Sequence, residues 1–297
     1  MNRCRTLLFM PGNNPGMLAS AGSLGADIVI FDLEDAVAQT EKDTARILVR
    51  NTLTHLKPDT GVTVRINALD TPHWKADIQA AIQGGADYIL APKCAQPSDV
   101  HTLIQTIEEA EAEYGAQAKY GKDTKILLLA LIESALGVEN AFALAGSHPR
   151  LAAILLGAED LTAELGAKRT PEGQEILYAR SRIMMACRAA GIKALDTPFP
   201  FVTDIDGLKA DAAFSAQLGF DGKAVISPHH VHVVNTAFSP SAEQLHWAER
   251  VMAVALRAKE EGKGAVSLDG MMIDLPIIKR AERILSRAAD TTETCHA

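Results

Sequence analysis

The stretch that decides the fold is residues 27–35, which read DIVIFDLED. Its apolar centre is continuous rather than alternating, and it ends in a cluster of acidic residues. A continuous apolar run of this length is typical of a parallel strand that is covered on both faces. The stretch therefore predicts a buried strand whose carboxyl end carries charged side chains.

The same pattern recurs through the first 230 residues, where each apolar run is followed by a polar turn and a segment with helical spacing. Eight runs are predicted to be strands: 6–10, 27–33, 62–67, 88–93, 125–133, 151–158, 193–197 and 222–226. Eight strands with helical crossovers predict an α/β fold, a (β/α)₈ barrel. The alternative is an open doubly wound sheet, but the loop PGNNPG at 11–16 lacks the glycine pattern of a dinucleotide site.

The composition is that of an ordinary globular protein. Of the 297 residues, 47% are hydrophobic and 22% are charged, which excludes a disordered chain, a coiled coil and a collagen-like fibre. A formal net charge of −8 argues against a general nucleic-acid binder. No stretch approaches the roughly 20 apolar residues that span a bilayer, and the first residues do not resemble a signal peptide. We therefore expect a cytoplasmic protein with no nucleic-acid or membrane partner.

The alternating rhythm stops after Pro228, which predicts two parts in the chain. We expect a catalytic barrel over residues 1–235 and a C-terminal helical extension over residues 236–297. Ser241 is expected to cap a long helix in this extension.

Two further helix starts can be predicted from short polar motifs. Thr170 followed by Pro171 predicts an N-cap and a first-turn proline, in a helix that stops at Gly191. Asp274 precedes the last helix, with Pro276 at an early helical position. On spacing alone, Asp274 is interpreted as the N-cap of that helix.

Acidic residues collect at the predicted carboxyl ends of the strands, where a barrel of this type carries its chemistry. Glu133 ends the fifth run and Asp160 follows the sixth. Adjacent strands lie about 4.8 Å apart, and two carboxylates at that separation repel each other unless a proton or cation lies between them. Two oxygen ligands with sites left for water and substrate suit Mg²⁺. The alternative is that one or both acids cap a helix or pair with a lysine.

Arg65 lies inside an apolar run, VTVRIN at 62–67. An unpaired buried guanidinium is costly, so Arg65 requires a carboxylate, a ligand or both. One interpretation is a structural ion pair with Asp32 or Glu34, and another is contact with substrate. The two are compatible, since an ion pair would also orient the guanidinium.

Three histidines lie close together near the end of the predicted barrel: His229, His230 and His232. Adjacent histidines point in different directions on a strand or a helix, so they rarely share a metal ion. With no cysteine nearby, the pattern disfavours a zinc site.

Ordered motifs along the chain resemble the HpcH/HpaI aldolase/citrate lyase family, which includes citrate lyase β subunits and citryl-CoA, citramalyl-CoA and malyl-CoA lyases. The motifs are LFMPG (8–12), FDLEDAV (31–37), VRIN (64–67), IES (132–134), LGAED (156–160), and SLDG with MID (267–274). The resemblance implies a barrel of the phosphoenolpyruvate/pyruvate-binding type that acts on a thioester with Mg²⁺.

The resemblance also implies roles for individual residues. Glu133 and Asp160 would hold Mg²⁺, and Arg65 and Glu133 would take part in catalysis. The substrate-binding residues would be Arg65, Glu133, Asp32 and Glu34. Asp274 would act as acid or base in the site of a neighbouring subunit, which overrides the helix-cap interpretation but is compatible with it. Such relatives are commonly trimers or hexamers, so we expect a homotrimer or hexamer.

The function implied by the resemblance is retro-Claisen cleavage of a 3-hydroxyacyl thioester, carried by CoA or by an acyl carrier. For citryl-CoA, the products would be acetyl-CoA and oxaloacetate, and the chain could belong to a citrate lyase complex. The alternatives are a malate synthase-like condensation, a malyl-CoA thioesterase activity, and a non-catalytic CoA-binding subunit.

Overall fold

The eight predicted strands form a closed parallel barrel. The computed structural model describes residues 3–56, 58–114, 125–260 and 266–292. The strands are β1 Thr6–Pro11, β2 Ile28–Asp32, β3 Gly61–Arg65, β4 Tyr88–Ala91, β5 Leu127–Ile132, β6 Leu151–Leu156, β7 Lys193–Asp196 and β8 Gly222–Val225. They pair in chain order, and β8 pairs with β1 to close the barrel. The closed order confirms the predicted (β/α)₈ barrel and excludes the open sheet.

Helices alternate with the strands in the described part of the chain. They are α1 Pro15–Ser20, α2 Lys42–His55, α3 Trp74–Gly84, α4 Pro97–Tyr114, α5 Ala135–Glu139, α6 Ala141–Ala145, α7 Ala158–Leu165, α8 Leu177–Ala190, α9 Ile205–Leu218 and α10 Pro228–Ala237. Gly191 follows α8 with a left-handed φ of 74°, as predicted for a C-terminal glycine.

The prediction that a helix starts at Thr170 is wrong, because α8 begins seven residues later at Leu177. Thr170 forms a turn instead, in which its Oγ1 accepts a hydrogen bond from the N–H of Gly173 at 3.2 Å. Gly173 has a left-handed φ of 64°, which a continuing helix does not tolerate. A Thr-Pro pair thus marks a turn here.

The strand ends meet at one end of the barrel because all the strands are parallel. Asp32, the last residue of β2, is in register with Arg65, the last residue of β3. Ile132 of β5 is likewise in register with Leu156 of β6. Buried apolar residues fill the barrel core: Cys4, Leu7, Ile28, Ile30, Leu90, Leu129, Leu131, Ala153, Leu155, Leu195 and Ala224. The residues that follow the strands therefore form a polar end above an apolar core.

The chain divides into two compact units, with the boundary after Asn235. The second unit contains α11 Ala242–Glu260, a hairpin of β9 Val266–Leu268 and β10 Met271–Ile273, and α12 Leu275–Thr292. Ser241 caps α11 as predicted, since its Oγ accepts a hydrogen bond from the N–H of Gln244 at 3.2 Å. The unit has its own small core of Ala248, Val251, Ile273 and Ala281.

His229, His230 and His232 lie on α10. His230 is fully buried, and its Nε2 lies 2.9 Å from the carbonyl oxygen of Val202.

None of the described helices combines the length and the apolar character that crossing a membrane requires.

Candidate active site

Arg65 is held by the two carboxylates that the sequence offered as partners. Its Nε and Nη2 donate to Asp32 Oδ1 and Oδ2 at 2.7 and 2.6 Å, a bidentate ion pair between neighbouring strand ends. Its Nη1 lies 3.1 Å from Glu34 Oε2. All three side chains are buried, and Phe9 lies against the guanidinium with its ring centroid 5.1 Å away. The predicted structural ion pair is confirmed, and it fixes the direction of the guanidinium.

The loop after β2 is folded around Asp32. The N–H groups of Glu34 and Ala36 donate to the two carboxylate oxygens of Asp32 at 2.8 and 3.2 Å. The buried Lys42, at the start of α2, donates from Nζ to the carbonyl oxygens of Leu33 and Glu34 at 2.8 and 2.6 Å. These bonds explain how Asp32, at the end of β2, and Glu34, in the loop after it, both reach the same arginine.

Glu133 follows β5 and is buried. Its Oε1 accepts a hydrogen bond from the backbone N–H of Lys93 at 2.8 Å. Lys93 has a left-handed φ of 55°, an uncommon conformation for a residue other than glycine, asparagine or aspartate. On its other side Glu133 lies against Gly157, where a Cβ atom would come within 2.6 Å of Glu133 Cβ. Backbone groups therefore fix the position of this carboxylate.

Asp160 lies in the first turn of α7 and is exposed. The sequence placed Glu133 and Asp160 at the ends of adjacent strands, whereas β6 ends at Leu156 and Asp160 belongs to the helix that follows it. The two carboxylates still line the same cavity. Burial raises the pKa of Glu133 to about 8, and the nearby Glu34 and Asp160 contribute to the rise.

The carboxylates fit a divalent cation. Glu34 is already paired, since its Oε2 lies 3.1 Å from Arg65 Nη1 and its Oε1 lies 3.4 Å from Lys93 Nζ, and burial raises its pKa to about 7. Glu133 and Asp160 are therefore the candidate ligands. Among the described residues, no group of three or more His, Cys, Asp or Glu side chains could hold a metal ion alone. A cation beside Glu133 and Asp160 would thus take its remaining ligands from water and substrate. Carboxylate and water oxygens are the donor set that Mg²⁺ prefers.

These groups open into a cavity of about 460 Å³ at the carboxyl ends of the strands. This volume lies in the range of small-molecule sites. The polar lining includes Asp32, Arg65, Glu133 and Asp160, and the apolar lining includes Phe9, Leu131 and Leu155. The first unit thus brings five of the six predicted site residues together: Asp32, Glu34, Arg65, Glu133 and Asp160.

Asp274 belongs to the second unit, directly before α12. Its Oδ1 accepts a hydrogen bond from the N–H of Ile277 at 3.2 Å, which confirms the N-cap interpretation made from spacing. This contact leaves the second carboxylate oxygen of Asp274 outside the cap.

Three residues that support the site were missed by sequence reasoning. Lys42 holds the loop after β2, Thr197 lines the cavity, and Gly157 makes room for Glu133. The glycine lies in the motif LGAED and offered a signal, because glycines beside a site commonly permit a close approach. The contacts of Lys42 and Thr197 depend on loop conformation and carry no such signal.

Comparisons with known proteins identify relatives along nearly the whole chain. The HpcH/HpaI aldolase/citrate lyase family model matches residues 5–228. The citrate lyase subunit beta of Leuconostoc mesenteroides subsp. cremoris is 42% identical over 285 residues, which cover 96% of this chain and 93% of that relative. The L-malyl-CoA/beta-methylmalyl-CoA lyase of Rhodobacter capsulatus is 35% identical, over 97% of this chain and 95% of its own.

A solved structure also resembles nearly the whole chain. Protein CitE from Mycobacterium tuberculosis, in complex with magnesium, acetoacetate and coenzyme A, superimposes with a TM-score of 0.77 and 32% identity. The match covers 97% of this chain and 98% of that one.

Proposed function

The chain belongs to the HpcH/HpaI aldolase/citrate lyase family, and we propose that it cleaves a 3-hydroxyacyl-CoA thioester, such as citryl-CoA, by a retro-Claisen reaction. It is a carbon–carbon lyase that uses Mg²⁺. The observation that carries the proposed site is the shared cavity, which is lined by Arg65, Glu133 and Asp160 together.

Glu133 and Asp160 are the residues that would hold the ion. When bound, Mg²⁺ would act as a Lewis acid that favours loss of the proton from the substrate's 3-hydroxyl group to water. Glu133 is fixed by the Lys93 N–H and the space at Gly157, so it holds its place without the ion. Asp160 is exposed, lies in the first turn of α7 and lines the same cavity.

Arg65 would stabilise negative charge on the substrate. Cleavage of the carbon–carbon bond leaves a keto acid and a thioester enolate, and both carry oxyanion character. The ion pair with Asp32 and Glu34 holds the guanidinium at the cavity before substrate enters, so its reorientation adds nothing to the barrier. Removal of one such donor typically slows a reaction about 100- to 1,000-fold.

Asp274 is proposed as the acid that protonates the enolate carbon and gives acetyl-CoA. In the condensing direction it would remove the same proton. The proposal assigns Asp274 to the site of a neighbouring subunit, so it requires a homo-oligomer, a trimer or a hexamer. A place in a citrate lyase complex, with an acyl-carrier thioester as substrate, and a cytoplasmic location are further parts of the proposal.

A substrate panel tests this function. Citryl-CoA, citramalyl-CoA and malyl-CoA are each incubated with the purified protein, with Mg²⁺ or with EDTA, and the products are identified by mass spectrometry. We expect acetyl-CoA and the matching keto acid from one of the three, and none in EDTA. Undiminished cleavage in EDTA, or no cleavage of any of the three, would contradict the proposal.

The same panel separates the alternative activities. Release of free CoA and malate from malyl-CoA would indicate a thioesterase. Formation of malate or malyl-CoA from acetyl-CoA plus glyoxylate, without cleavage of the panel, would indicate a condensing enzyme. These reactions would use the same side chains, so the product decides between them.

A further inference from the structure

The helix that carries Asp160 begins without a capping side chain of its own. The N-cap residue of α7 is Gly157, which has no side chain to accept a hydrogen bond from the first turn. A Cβ atom at this position would lie 2.6 Å from Glu133 Cβ and 2.7 Å from Glu133 Oε2. Because Glu133 fills the space, no capping residue fits at position 157, and the first turn of α7 needs an acceptor from elsewhere.

Thr197 supplies that acceptor from the end of the neighbouring strand. Its Oγ1 accepts a hydrogen bond from the backbone N–H of Ala158, the first residue of α7, at 3.2 Å. Thr197 and Ala158 are buried, with exposures of 0% and 1%. Solvent water therefore does not accept the hydrogen bond from the Ala158 N–H in place of Thr197. A buried donor that loses its acceptor is left with its full cost of desolvation.

Thr197 is itself held in place by a buried ionic cluster. Lys223 donates from Nζ to the Thr197 carbonyl oxygen and to Asp196 Oδ2, both at 2.6 Å. Arg180 binds Asp196 through two hydrogen bonds of 2.9 and 2.8 Å, and Asp211 balances the second positive charge. Although burial alone would raise the pKa of Asp196, Lys223 and Arg180 hold it at about 2. Asp196 is therefore ionised at neutral pH, and its contacts with Lys223 and Arg180 fix the end of β7.

We propose that Thr197 is a positioning residue that fixes the first turn of α7 and thereby holds the Asp160 carboxylate beside Glu133. Asp160 lies two residues beyond Ala158 in the same turn. The inference rests on the proposed function, in which Asp160 and Glu133 hold Mg²⁺. Loss of a residue that orients a metal ligand typically weakens metal binding about 10- to 100-fold.

The test compares Thr197→Val with Thr197→Ser. Valine keeps the shape of threonine and lacks the acceptor oxygen, whereas serine keeps the oxygen. The measurement is the dissociation constant of Mn²⁺ for the purified full-length protein without substrate, determined by EPR titration. We expect Thr197→Val to weaken Mn²⁺ binding by about tenfold or more, and Thr197→Ser to stay within about twofold of the starting protein.

Asp160→Asn serves as the reference variant. If Asp160→Asn weakens Mn²⁺ binding and Thr197→Val does not, the positioning role is overturned while the metal site stands. If Asp160→Asn leaves Mn²⁺ binding unchanged, the metal assignment of the proposed function fails first. Equal losses in Thr197→Val and Thr197→Ser would also overturn the inference, since the oxygen would not be responsible.

Thermal unfolding of each variant separates positioning from general stability. A purely structural role would lower the melting temperature of Thr197→Val without changing the Mn²⁺ affinity of the folded protein, and this result would contradict the inference. If Thr197→Val does not fold, Thr197→Ala, which also lacks the acceptor, is measured in its place with the same two outcomes.

Discussion

At the scale of single residues, the site is built from charges that are held by backbone groups. Arg65 pairs with Asp32, Glu34 and Asp35, so acids at the same end of the barrel compensate its charge. Among the residues that the structure describes, Glu133 forms no ion pair, and it is fixed by the Lys93 N–H and by the absence of a side chain at Gly157. A carboxylate held in this way keeps its geometry and can still gain a cation.

Gly157→Ala tests whether the space beside Glu133 matters. The added methyl group would come within 2.6 Å of Glu133 Cβ, so the Glu133 carboxylate must move. We expect turnover and Mn²⁺ affinity to fall about 10- to 100-fold. Gly146→Ala is the matched control, because its Cβ would meet only the Phe142 carbonyl oxygen at 3.9 Å. Equal behaviour of the two variants would contradict the role given to Gly157.

The raised pKa of Glu133 predicts a pH dependence of stability. The pKa is about 8 in the folded protein against an ordinary value of 4.5, so the folded state binds a proton that the unfolded chain releases. The stabilisation of the folded state by this proton is complete below pH 4.5 and is lost as the pH rises through 8. Glu34, with a pKa of about 7, acts in the same direction.

Melting temperatures measured from pH 5 to 9 check this expectation. The metal-free protein should lose stability as the pH rises. Excess Mg²⁺ should reduce this loss, because its positive charge compensates the negative charge of the ionised carboxylates. Glu133→Gln cannot ionise, so its curve should be flatter and should respond less to Mg²⁺. Identical curves for Glu133→Gln and the starting protein would show that Glu133 does not titrate in this range.

At the scale of elements, the strands were predictable and the loops were not. Each strand is a continuous apolar run, and burial on both faces leaves such a run few alternatives. The positions of the strand ends are predicted less exactly. The run at 151–158 forms a strand only to Leu156, because α7 begins at Ala158. The start at Thr170 was wrong because a threonine followed by proline fits a turn as well as a helix, and the left-handed Gly173 decides for the turn.

The candidate site shows the same division. The ion pair of Arg65 could be predicted, since a buried guanidinium needs an acid and the loop FDLED offers several. The contacts of Lys42 and Thr197 could not, because each depends on the path of a loop that no periodicity describes. Sequence thus predicts which charges meet, and the structure adds what holds them.

Lys42→Met is predicted to destabilise the loop after β2. The variant removes the buried hydrogen-bond donor of the Leu33 and Glu34 carbonyl oxygens. We therefore expect the free energy of unfolding to fall by about 1–3 kcal/mol. Urea unfolding measures this change. Lys209→Met is the control, since this lysine is exposed and pairs with the exposed Asp206. A loss no larger than that of the control would contradict the role of Lys42.

At the scale of the whole molecule, the proposed function needs more than one chain, because Asp274 is assigned to a neighbour's site. Asparagine caps a helix about as well as aspartate, so Asp274→Asn should keep the start of α12 and lose the acid. Glu133→Gln should lose the metal ligand and keep Asp274. Each variant alone should be nearly inactive.

Co-expression of the two variants in one cell tests the shared site. In a random one-to-one mixture, about a quarter of the sites would combine an intact Glu133 with an intact Asp274 from the next subunit, and activity should return to that level. If mixed oligomers form and remain inactive, Asp274 does not act in a neighbour's site. A loss of melting temperature alone in Asp274→Asn would leave it as a helix cap.

The central claim is that one divalent ion binds between Glu133 and Asp160 beside Arg65. The most direct measurement is the anomalous scattering of a crystal soaked in Mn²⁺. We predict one strong peak bonded to a carboxylate oxygen from each of Glu133 and Asp160. A peak elsewhere in the barrel, or none at these carboxylates at saturating Mn²⁺, would contradict the account.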